Sequence, residues 1–490
     1  MKAIKWFTIF FAVFILQKSS LHAQGTLTPP GAPAPTMKTL DQIQPRTPIS
    51  ALPFMITNSG SYYLTANLSV SGGDGIDISA TNVTVDLNGF TISSTAPAAN
   101  GRGIALLGNY ARNITILNGF IRGYATNDGA GNYGGSGFAS GIMNAGFAAA
   151  NIRIDGITVS GCIANGISPN SSSSSLVENC TVQTVGASGI TASIIKNSSA
   201  YDCGFIPLSG ITVIDCTGES KSSYGGSAIQ GTTVENCYAI FDGTGNGAGI
   251  IASLVKNSHG ASYGSGPGIS ADNVENSSGT AILNTAIYVN NSAVDCSGTS
   301  GGGPGFSVSS GGVLTRCTSG FSATGINAGD HCIIRDCVIA NCLTNGIVAG
   351  QSCHISGCTV TGTGTGAAGV GISADIRCTI EDCTVNDSQN DGILASGDST
   401  VQNNHASHNG LGGSGSGIHT TGAGSRIEGN HTRDNANYGI RSDGGAGADI
   451  IIRNSAGGNG TAPYLPASGA TFGPIQTPAA ATSPTANFSF

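Results

Sequence analysis

The tetrapeptide Val177-Glu178-Asn179-Cys180 decides the fold, because the chain repeats its pattern many times. Each copy has an aliphatic residue, a charged residue, Asn or Asp, and then Cys or Ser. Further copies occupy residues 195–198, 234–237, 255–258, 274–277, 334–337 and 380–383. Related segments recur about every 18 to 25 residues, an interval that indicates a solenoid rather than a globular core.

The composition also favours short strands and turns. Only 9% of the residues are charged and 76 of the 490 are Gly. The helix formers Lys and Glu are scarce, whereas Gly, Ser, Thr, Asn and Val are abundant. A disordered chain is the alternative for such a composition, but disordered segments lack the regular spacing of aliphatic residues found here.

Aligning the coils on the repeated pattern places similar residues in rows. The Cys position forms the row Phe90, Phe120, Ile157, Cys180, Ser198, Cys216, Cys237, Ser258, Ser277, Cys296, Cys317, Cys337, Cys358, Cys383, Asn404, Asn430 and Asn454. A second strand begins with Gly-Ile, at 166, 189, 210, 249, 268, 325, 346, 371, 392, 417 and 439. Because like residues stack one strand spacing of about 4.8 Å apart, the rows predict an all-β fold, a single-stranded parallel β-helix of about 18 coils.

The N-terminal segment has the features of an export signal. Lys2 and Lys5 precede the apolar run 6–16, and Leu21-His22-Ala23 resembles a cleavage site. The apolar run is too short to span a bilayer. We therefore expect an exported protein of the periplasm, cell surface or extracellular space, with no transmembrane segment after signal removal.

The remaining boundaries follow from the limits of the repeat. We predict a signal peptide at 1–23, a Pro/Ala-rich linker at 24–36, the β-helix at 37–456 and a C-terminal cap or tail at 457–490. Residues 37–44 are expected to form a short helical cap on the first coil, because the open end of a solenoid needs a cover.

The charge of the chain argues against nucleic acid as a partner. The formal net charge is −8, and signal removal takes away Lys2, Lys5 and Lys18. A surface that is mildly acidic repels the phosphate backbone. The sequence does not predict the oligomeric state.

All 14 Cys residues lie between Cys162 and Cys383. Three successive coils carry two Cys residues each, namely Cys332/Cys337, Cys353/Cys358 and Cys378/Cys383. We expect both members of each pair to face inward as packed, free thiols. Disulfides between coils stay open as an alternative, because Cα atoms one rung apart lie within bridging distance. A metal site would need four convergent ligands.

The opening coils carry a resemblance to a known family. Residues 56–64, Ile-Thr-Asn-Ser-Gly-Ser-Tyr-Tyr-Leu, are followed by Val83-Thr84-Val85-Asp86-Leu87-Asn88-Gly89-Phe90. This resembles the entry coils of exported bacterial β-helix proteins of the pectin-lyase-like superfamily. The resemblance implies a right-handed helix. It does not select an activity, because that superfamily includes lyases, hydrolases, epimerases and non-enzymatic surface proteins.

The lyases of that superfamily use basic and acidic side chains on one outer face, often with Ca²⁺. Here the outward row after Gly-Ile is almost without charge until His419 and Arg441. A polyuronate transition state needs cations or a metal ion, so this face is poorly equipped for β-elimination. An outward row with Glu178, Glu235 and Glu381 could bind Ca²⁺, but pairing of acids and bases between rungs is the favoured interpretation.

The C-terminal coils supply the candidate catalytic residues His405, His419, His431, Asp434 and Arg441. His405 and His431 each follow an Asn of the inward row, which places them outward and one coil apart. Two such imidazoles could bind a metal or act as acid and base. The alternative is that this outward row accepts any polar residue.

These observations predict a secreted surface module that binds extended polysaccharide along its lateral face. The first alternative is a carbohydrate-active enzyme, a lyase or glycoside hydrolase, with its site near the C-terminal His residues. The second is a structural rod or adhesin. The sequence leaves open whether the protein is an enzyme, and it predicts no cofactor, with Ca²⁺ as the one candidate ion.

Overall fold

The computed structural model describes residues 46–107, 111–146, 149–170, 174–365, 369–444 and 449–490. The predicted signal peptide, linker and helical cap lie outside these residues. From Thr47 to Phe490 the chain forms one unit. No described segment forms a helix long and apolar enough to cross a lipid bilayer.

This unit is a parallel β-solenoid of about 19 turns, which confirms the predicted all-β fold. Its first sheet contains strands Phe54–Ile56, Ile76–Ile78, Arg102–Leu106, Ser140–Asn144, Ile167–Asn170, Ile190–Lys196, Leu208–Ile214, Ser227–Glu235, Ala248–Lys256, Ile269–Glu275, Ile287–Val294, Pro304–Val308, Thr324–Ala328, Ile347–Ala349, Ile372–Ala374, Ile393–Ala395, Ile418–Thr420, Tyr438–Ser442 and Ala462–Leu465. Each strand pairs in parallel with its counterpart in the next coil, as Ile347, Ile372 and Ile393 do.

The second sheet carries the repeated pattern. It contains Thr47–Ile49, Gly60–Leu64, Val83–Asp86, Arg112–Arg122, Ala150–Cys162, Ser175–Glu178, Val313–Thr315, Ile333–Arg335, His354–Ser356, Thr379–Glu381, Thr400–Gln402, Arg426–Glu428, Ile450–Ile452 and Thr471–Phe472. In the coils from 190 to 294, one long strand runs through both the first and the second sheet.

The third sheet is formed by the strands that come directly after the repeated pattern in each coil. It contains Leu68–Val70, Thr91–Ser94, Thr181–Val185, Ser199–Cys203, Thr217–Ser220, Tyr238–Phe241, His259–Ser262, Ser278–Ala281, Ser297–Ser300, Thr318–Gly320, Val338–Ala340, Thr359–Thr361, Thr384–Asn386, His405–Ser407, His431–Arg433, Ser455–Gly457 and Asn487–Ser489, and the ends of strands 112–122 and 150–162 join it. Other elements are strands Tyr124–Asn127, Tyr133–Ser136 and Ile475–Gln476 and the 3₁₀ turn Pro478–Ala480.

The corner between the second and third sheets explains the repeated pattern. Asn179, Asn236 and Asp382 have φ values of 55°, 53° and 53°. This left-handed conformation is tolerated by Gly and by the short polar residues Asn and Asp. The Asn or Asp therefore turns the chain, and the Cys or Ser after it faces the interior.

The structure corrects the predicted register at two positions. Phe120 pairs with Thr158, so Gly119 and not Phe120 occupies the inward row, and Phe120 is 46% exposed. A Cβ at Gly119 would lie 2.4 Å from the Leu87 Cβ, so no larger residue fits there. In the coil with Gly210, Leu208 pairs with Ile190 and takes the place predicted for Ile211.

Two Gly-rich segments, which the sequence favours as loops inserted into particular coils, also contain regular structure. The segment 127–136 lies largely within an antiparallel hairpin of Tyr124–Asn127 and Tyr133–Ser136, whose turn is held by Asp128 Oδ1 accepting the Ala130 N–H at 2.8 Å. The segment 259–268 begins with strand His259–Ser262. His259 is therefore part of the third sheet rather than of an insertion.

All 14 Cys residues are buried free thiols, as predicted. The Cys332 N–H donates to Cys353 Sγ at 3.3 Å, and the Cys353 N–H donates to Cys378 Sγ at 3.4 Å. Burial raises the pKa of Cys162 and Cys180 to about 12. Such thiols stay protonated at neutral pH, so these two are packing groups rather than nucleophiles.

Asparagine ladders replace the thiols in the last coils. Asn404 Nδ2 donates to Asn430 Oδ1 at 3.1 Å, and Asn430 Nδ2 donates to Asn454 Oδ1 at 3.0 Å. Asn487 of the C-terminal segment extends this ladder and accepts from Asn454 at 3.2 Å. A second ladder, formed by Asn409, Asn435 and Asn459, was not predicted. Both ladders satisfy amide groups that burial would otherwise leave unpaired, except Asn459 Nδ2 at the end of the second ladder.

Candidate functional site

The structure places the five predicted catalytic residues on two different sheets and a turn. His405 and His431 pair in the third sheet, and His419 and Arg441 pair in the first sheet. Asp434 follows the third sheet at a turn, with Oδ2 3.9 Å from His408 Nε2. The sequence therefore found two separate neighbour pairs rather than one constellation.

His405 and His431 form an aromatic stack. Their ring centroids are 5.0 Å apart and the planes differ by 12°. His431 also stacks on Phe490 at 5.5 Å, and its Nδ1 lies 2.9 Å from Ser455 Oγ. Burial, followed by the charges of His405 and Arg433, lowers the pKa of His431. Within the described residues, no group of three or more His, Cys, Asp and Glu could hold a metal ion.

His419 is held between two carboxylates. Its Nδ1 lies 2.9 Å from Asp391 Oδ2 and its Nε2 lies 3.1 Å from Asp443 Oδ2. Arg441 forms a two-bond ion pair with Asp443, at 3.0 Å from Nε to Oδ1 and 2.6 Å from Nη2 to Oδ2. We call His419, Asp391, Asp443 and Arg441 the His419 network. The sequence supplied His419 and Arg441 but missed both carboxylates.

The carboxylates favour a charged His419. Burial and the charge of Arg441 lower its pKa, but the hydrogen bond and charge of Asp391 and the hydrogen bond of Asp443 more than offset them and raise the pKa above its ordinary value. Both ring nitrogens are engaged, so the imidazolium has no free position with which to abstract a proton. In this arrangement His419 stabilises its neighbours electrostatically and does not act as a base.

A groove that the sequence did not predict lies at the corner between the second and third sheets. We call it the central groove, and its volume is about 960 Å³. Its walls come from six successive coils and consist of Asp215, Cys216, Thr217, Asn236, Cys237, Tyr238, Asn257, Ser258, His259, Asn276, Ser277, Ser278, Asp295, Cys296, Ser297, Arg316 and Thr318. Each coil adds a polar corner residue and an outward residue, so the groove runs along the solenoid.

An aromatic pair forms one wall of the central groove. Tyr238 and His259 stack with ring centroids 5.1 Å apart and planes 17° apart. Tyr238 is 46% exposed, so one face of the pair is open to a ligand. His259 Nδ1 lies 2.7 Å from Ser278 Oγ. Burial lowers the pKa of His259, which favours a neutral ring at neutral pH.

The opposite wall is a row of polar corner residues. Asn236 Nδ2 donates to Asp215 Oδ1 at 3.1 Å, and Asn276 Nδ2 donates to Asn257 Oδ1 at 2.8 Å. Each amide keeps further donor or acceptor capacity toward the groove. The wall therefore offers hydrogen-bonding groups at the spacing of the rungs, about 4.8 Å.

A smaller concavity of about 430 Å³ lies beside the hairpin 124–136. Arg122 lies over the Tyr124 ring, with Cζ 5.2 Å from the centroid. Asp202 accepts from the Tyr133 hydroxyl at 2.9 Å, which fixes the hairpin to the body of the solenoid. The hairpin therefore forms one side of this concavity.

Comparison with known families agrees with this architecture. Residues 319–465 match the family model described as "Right handed beta helix region". The protein is a right-handed parallel β-helix. Membership of the pectin-lyase-like superfamily stays a prediction. No curated protein matches the chain.

Solved structures similar to this β-helix include two A-modules of mannuronan C-5 epimerases from Azotobacter vinelandii. AlgE6 has 12% identity and a TM-score of 0.20, with 88% of this chain and 90% of that chain covered. AlgE4 has 14% identity and a TM-score of 0.19, with 88% and 91% covered. The catalytic domain of a GH87 α-1,3-glucanase in complex with nigerose has 10% identity and a TM-score of 0.16, with 91% and 62% covered. At these scores the similarity gives no information about what this β-helix binds.

The central groove and the His419 network lie differently with respect to the segment that matches the β-helix family model, residues 319–465. The His419 network lies within residues 319–465, whereas the central groove ends at Thr318, directly before that segment. Most of the groove lies in coils whose long strands run through both the first and the second sheet.

Proposed function

We propose that this β-helix is an exported module that binds an extended polysaccharide in the central groove. The observation that carries the proposal is the Tyr238–His259 stack beside a row of polar corner residues. An aromatic face packs against the C–H face of a sugar ring, and amide and carboxylate groups bond its hydroxyls. The two walls together therefore match a polymer of sugar rings, which presents both C–H faces and hydroxyl groups.

The repeat of the groove favours a polymer over a single sugar. Parallel strands are about 4.8 Å apart, close to the length of one sugar unit in an extended chain. Thr217, Ser278 and Ser297 are outward hydroxyl groups on successive or nearby rungs of this groove. Equivalent groups can therefore meet equivalent positions of successive sugar units.

The electrostatics of the groove favour binding over hydrolysis. A glycoside hydrolase needs a carboxylic acid whose pKa is raised so that it can protonate the leaving group. The hydrogen bonds from Arg316 instead lower the pKa of Asp295. This carboxylate is therefore ionised at neutral pH and is not suited to protonate a leaving group.

A carbohydrate-active enzyme with its site at the His419 network is the second candidate. The observation that favours it is the concentration of charge there, with Asp391 and Asp443 on either side of a histidine and Arg441 beside them. This candidate requires the bond from His419 to Asp443, the more exposed carboxylate, to open when a substrate binds.

Retention in gels that contain single polysaccharides tests the proposal. The double variant Tyr238→Ala/His259→Ala removes the stack, and Tyr288→Ala is its control because Tyr288 is an outward, partly exposed tyrosine of the first sheet. We expect one or more polysaccharides to retard the wild type and Tyr288→Ala but not the double variant, without release of reducing or unsaturated ends. Release of such ends would favour the enzyme, and equal retardation of the double variant would exclude the central groove.

A further inference from the structure

The positive charge of the central groove is already neutralised by the protein's own carboxylates. Arg316 is the one Lys or Arg among the described residues that line it. Its Nε and Nη2 each lie 2.7 Å from an oxygen of Asp295, so both sides of the carboxylate are occupied. This bidentate pair occupies the Nε–Nη2 edge of Arg316 and balances its charge, so a ligand carboxylate would gain less from the remaining N–H donors than from an unpaired guanidinium.

The rim of the groove shows the same pairing. Lys256 directly precedes the corner residue Asn257, and its Nζ lies 2.8 Å from Glu275 Oε2. His259 does not add a positive charge at neutral pH, because burial lowers its pKa. The cationic groups that face or border the groove are therefore either paired or neutral.

The negative charge is less completely neutralised. Asp215 accepts from the uncharged Asn236 amide at 3.1 Å, and Glu235 lies on the rim beside Lys256, whose single charge also serves Glu275. A ligand with a carboxylate on every sugar would place its charges near Asp215 and Glu235. Repulsion between these like charges would weaken the binding of a polyuronate, whereas a polymer with hydroxyl groups alone would not be repelled.

From this charge arrangement we infer that the central groove selects uncharged polysaccharides and excludes polyuronates. The inference rests on the proposed function and adds the class of polymer. The neutral donors and acceptors of Asn236, Asn257 and Asn276 remain to bond hydroxyl groups. Recognition of this kind depends little on salt, because no ion pair forms between protein and ligand.

Electrophoresis in gels with neutral glucans, mannans or xylans, compared with gels containing polygalacturonate or alginate, tests the inference. We expect the wild type to bind a neutral polymer at least about tenfold more tightly than either polyuronate, at low and at high salt. Equal or tighter binding of a polyuronate at low salt would overturn the inference while leaving the proposed function intact. Preferential, salt-sensitive binding of a cationic amino-sugar polymer would also overturn it. Retention by no polysaccharide would contradict the proposed function itself.

A single substitution should reverse the preference. Asp295→Asn releases Arg316, and Asn suits the left-handed corner because Asn236 and Asn276 already adopt that conformation. We expect this variant to gain salt-sensitive binding to polygalacturonate. Asp382→Asn makes the same change of charge at the equivalent corner outside the groove and should leave binding unchanged. No gain in Asp295→Asn, or an equal gain in Asp382→Asn, would refute the role assigned to the Asp295–Arg316 pair.

Discussion

His259 and His419 are both outward residues of one β-helix, but their surroundings shift their pKa values in opposite directions. His259 stacks on Tyr238 in the central groove, and burial lowers its pKa. At His419 burial is outweighed by Asp391 and Asp443, which raise the pKa. The difference teaches that an outward histidine on a solenoid is defined by residues from adjacent coils and turns. The central groove offers an open surface with a neutral histidine, whereas the His419 network is closed and holds a charged histidine.

The largest effect that separates the two regions should be on stability. Asp391 is nearly buried, and it accepts the Ser416 N–H at 2.7 Å while binding His419. Asp391→Asn leaves His419 with one carboxylate fewer and should lower the free energy of unfolding in urea by about 2 kcal/mol. Its binding of polysaccharide should not change.

Asp382→Asn is the control for that substitution, because it makes the same chemical change at an exposed corner. Its unfolding curve should superimpose on that of the wild type. A similar loss of stability in both variants would show that the His419 network contributes nothing beyond an ordinary surface carboxylate.

The next effect should be on affinity and should be confined to the central groove. Tyr238→Ala removes the exposed face of the aromatic pair, and we expect about tenfold weaker binding, on the scale of a lost aromatic contact. His419→Ala should bind as the wild type does in the same titration. Weaker binding in His419→Ala with normal binding in Tyr238→Ala would show that the His419 network, and not the central groove, binds the polysaccharide.

The smallest effect should be the pH dependence of stability. The raised pKa of His419 contributes stability that is present below the unfolded-state pKa and is lost as the pH rises through the folded-state pKa. The lowered pKa of His259 contributes stability that is present above the unfolded-state pKa and is lost as the pH falls.

Urea unfolding of His419→Gln and His259→Gln across pH 5 to 8, roughly the range in which histidine titrates, measures these opposite trends. The difference from the wild type should shrink with rising pH for His419→Gln and with falling pH for His259→Gln. Parallel trends in the two variants would mean that the two environments do not differ as described.

The fold was predictable because its determinants are local and periodic. The left-handed corner carries Asn, Asp or Gly in most coils, with Arg316 and Arg453 as exceptions, and inward positions repeat the same residue class. The predicted register was wrong at Phe120 and Ile211, because each of these exposed apolar residues was taken for the inward residue of its coil. Gly119 and Leu208 fill those inward positions instead. The second Asn ladder was not predicted, because Asn409 and Asn435 follow the strands of the third sheet and are not part of the repeated pattern.

The candidate site was much less predictable, because its residues are distant in sequence. Asp391 and Asp443 lie in irregular segments next to strands, 28 and 24 residues from His419. The central groove is assembled from six coils whose individual residues are ordinary Asn, Ser and Thr. His259 next to Tyr238 is the one signal that sequence could have offered, through alignment of successive coils at the start of the third sheet.

The crystal structure of the β-helix with a bound oligosaccharide of the polymer that retains it would test the central claim most directly. The account predicts sugar rings along the corner between the second and third sheets, with one ring packed on Tyr238 and its hydroxyls bonded to Asn236 or Asn257. Sugar rings over Leu394, His419 and Arg441 on the first sheet, with the central groove empty, would contradict it.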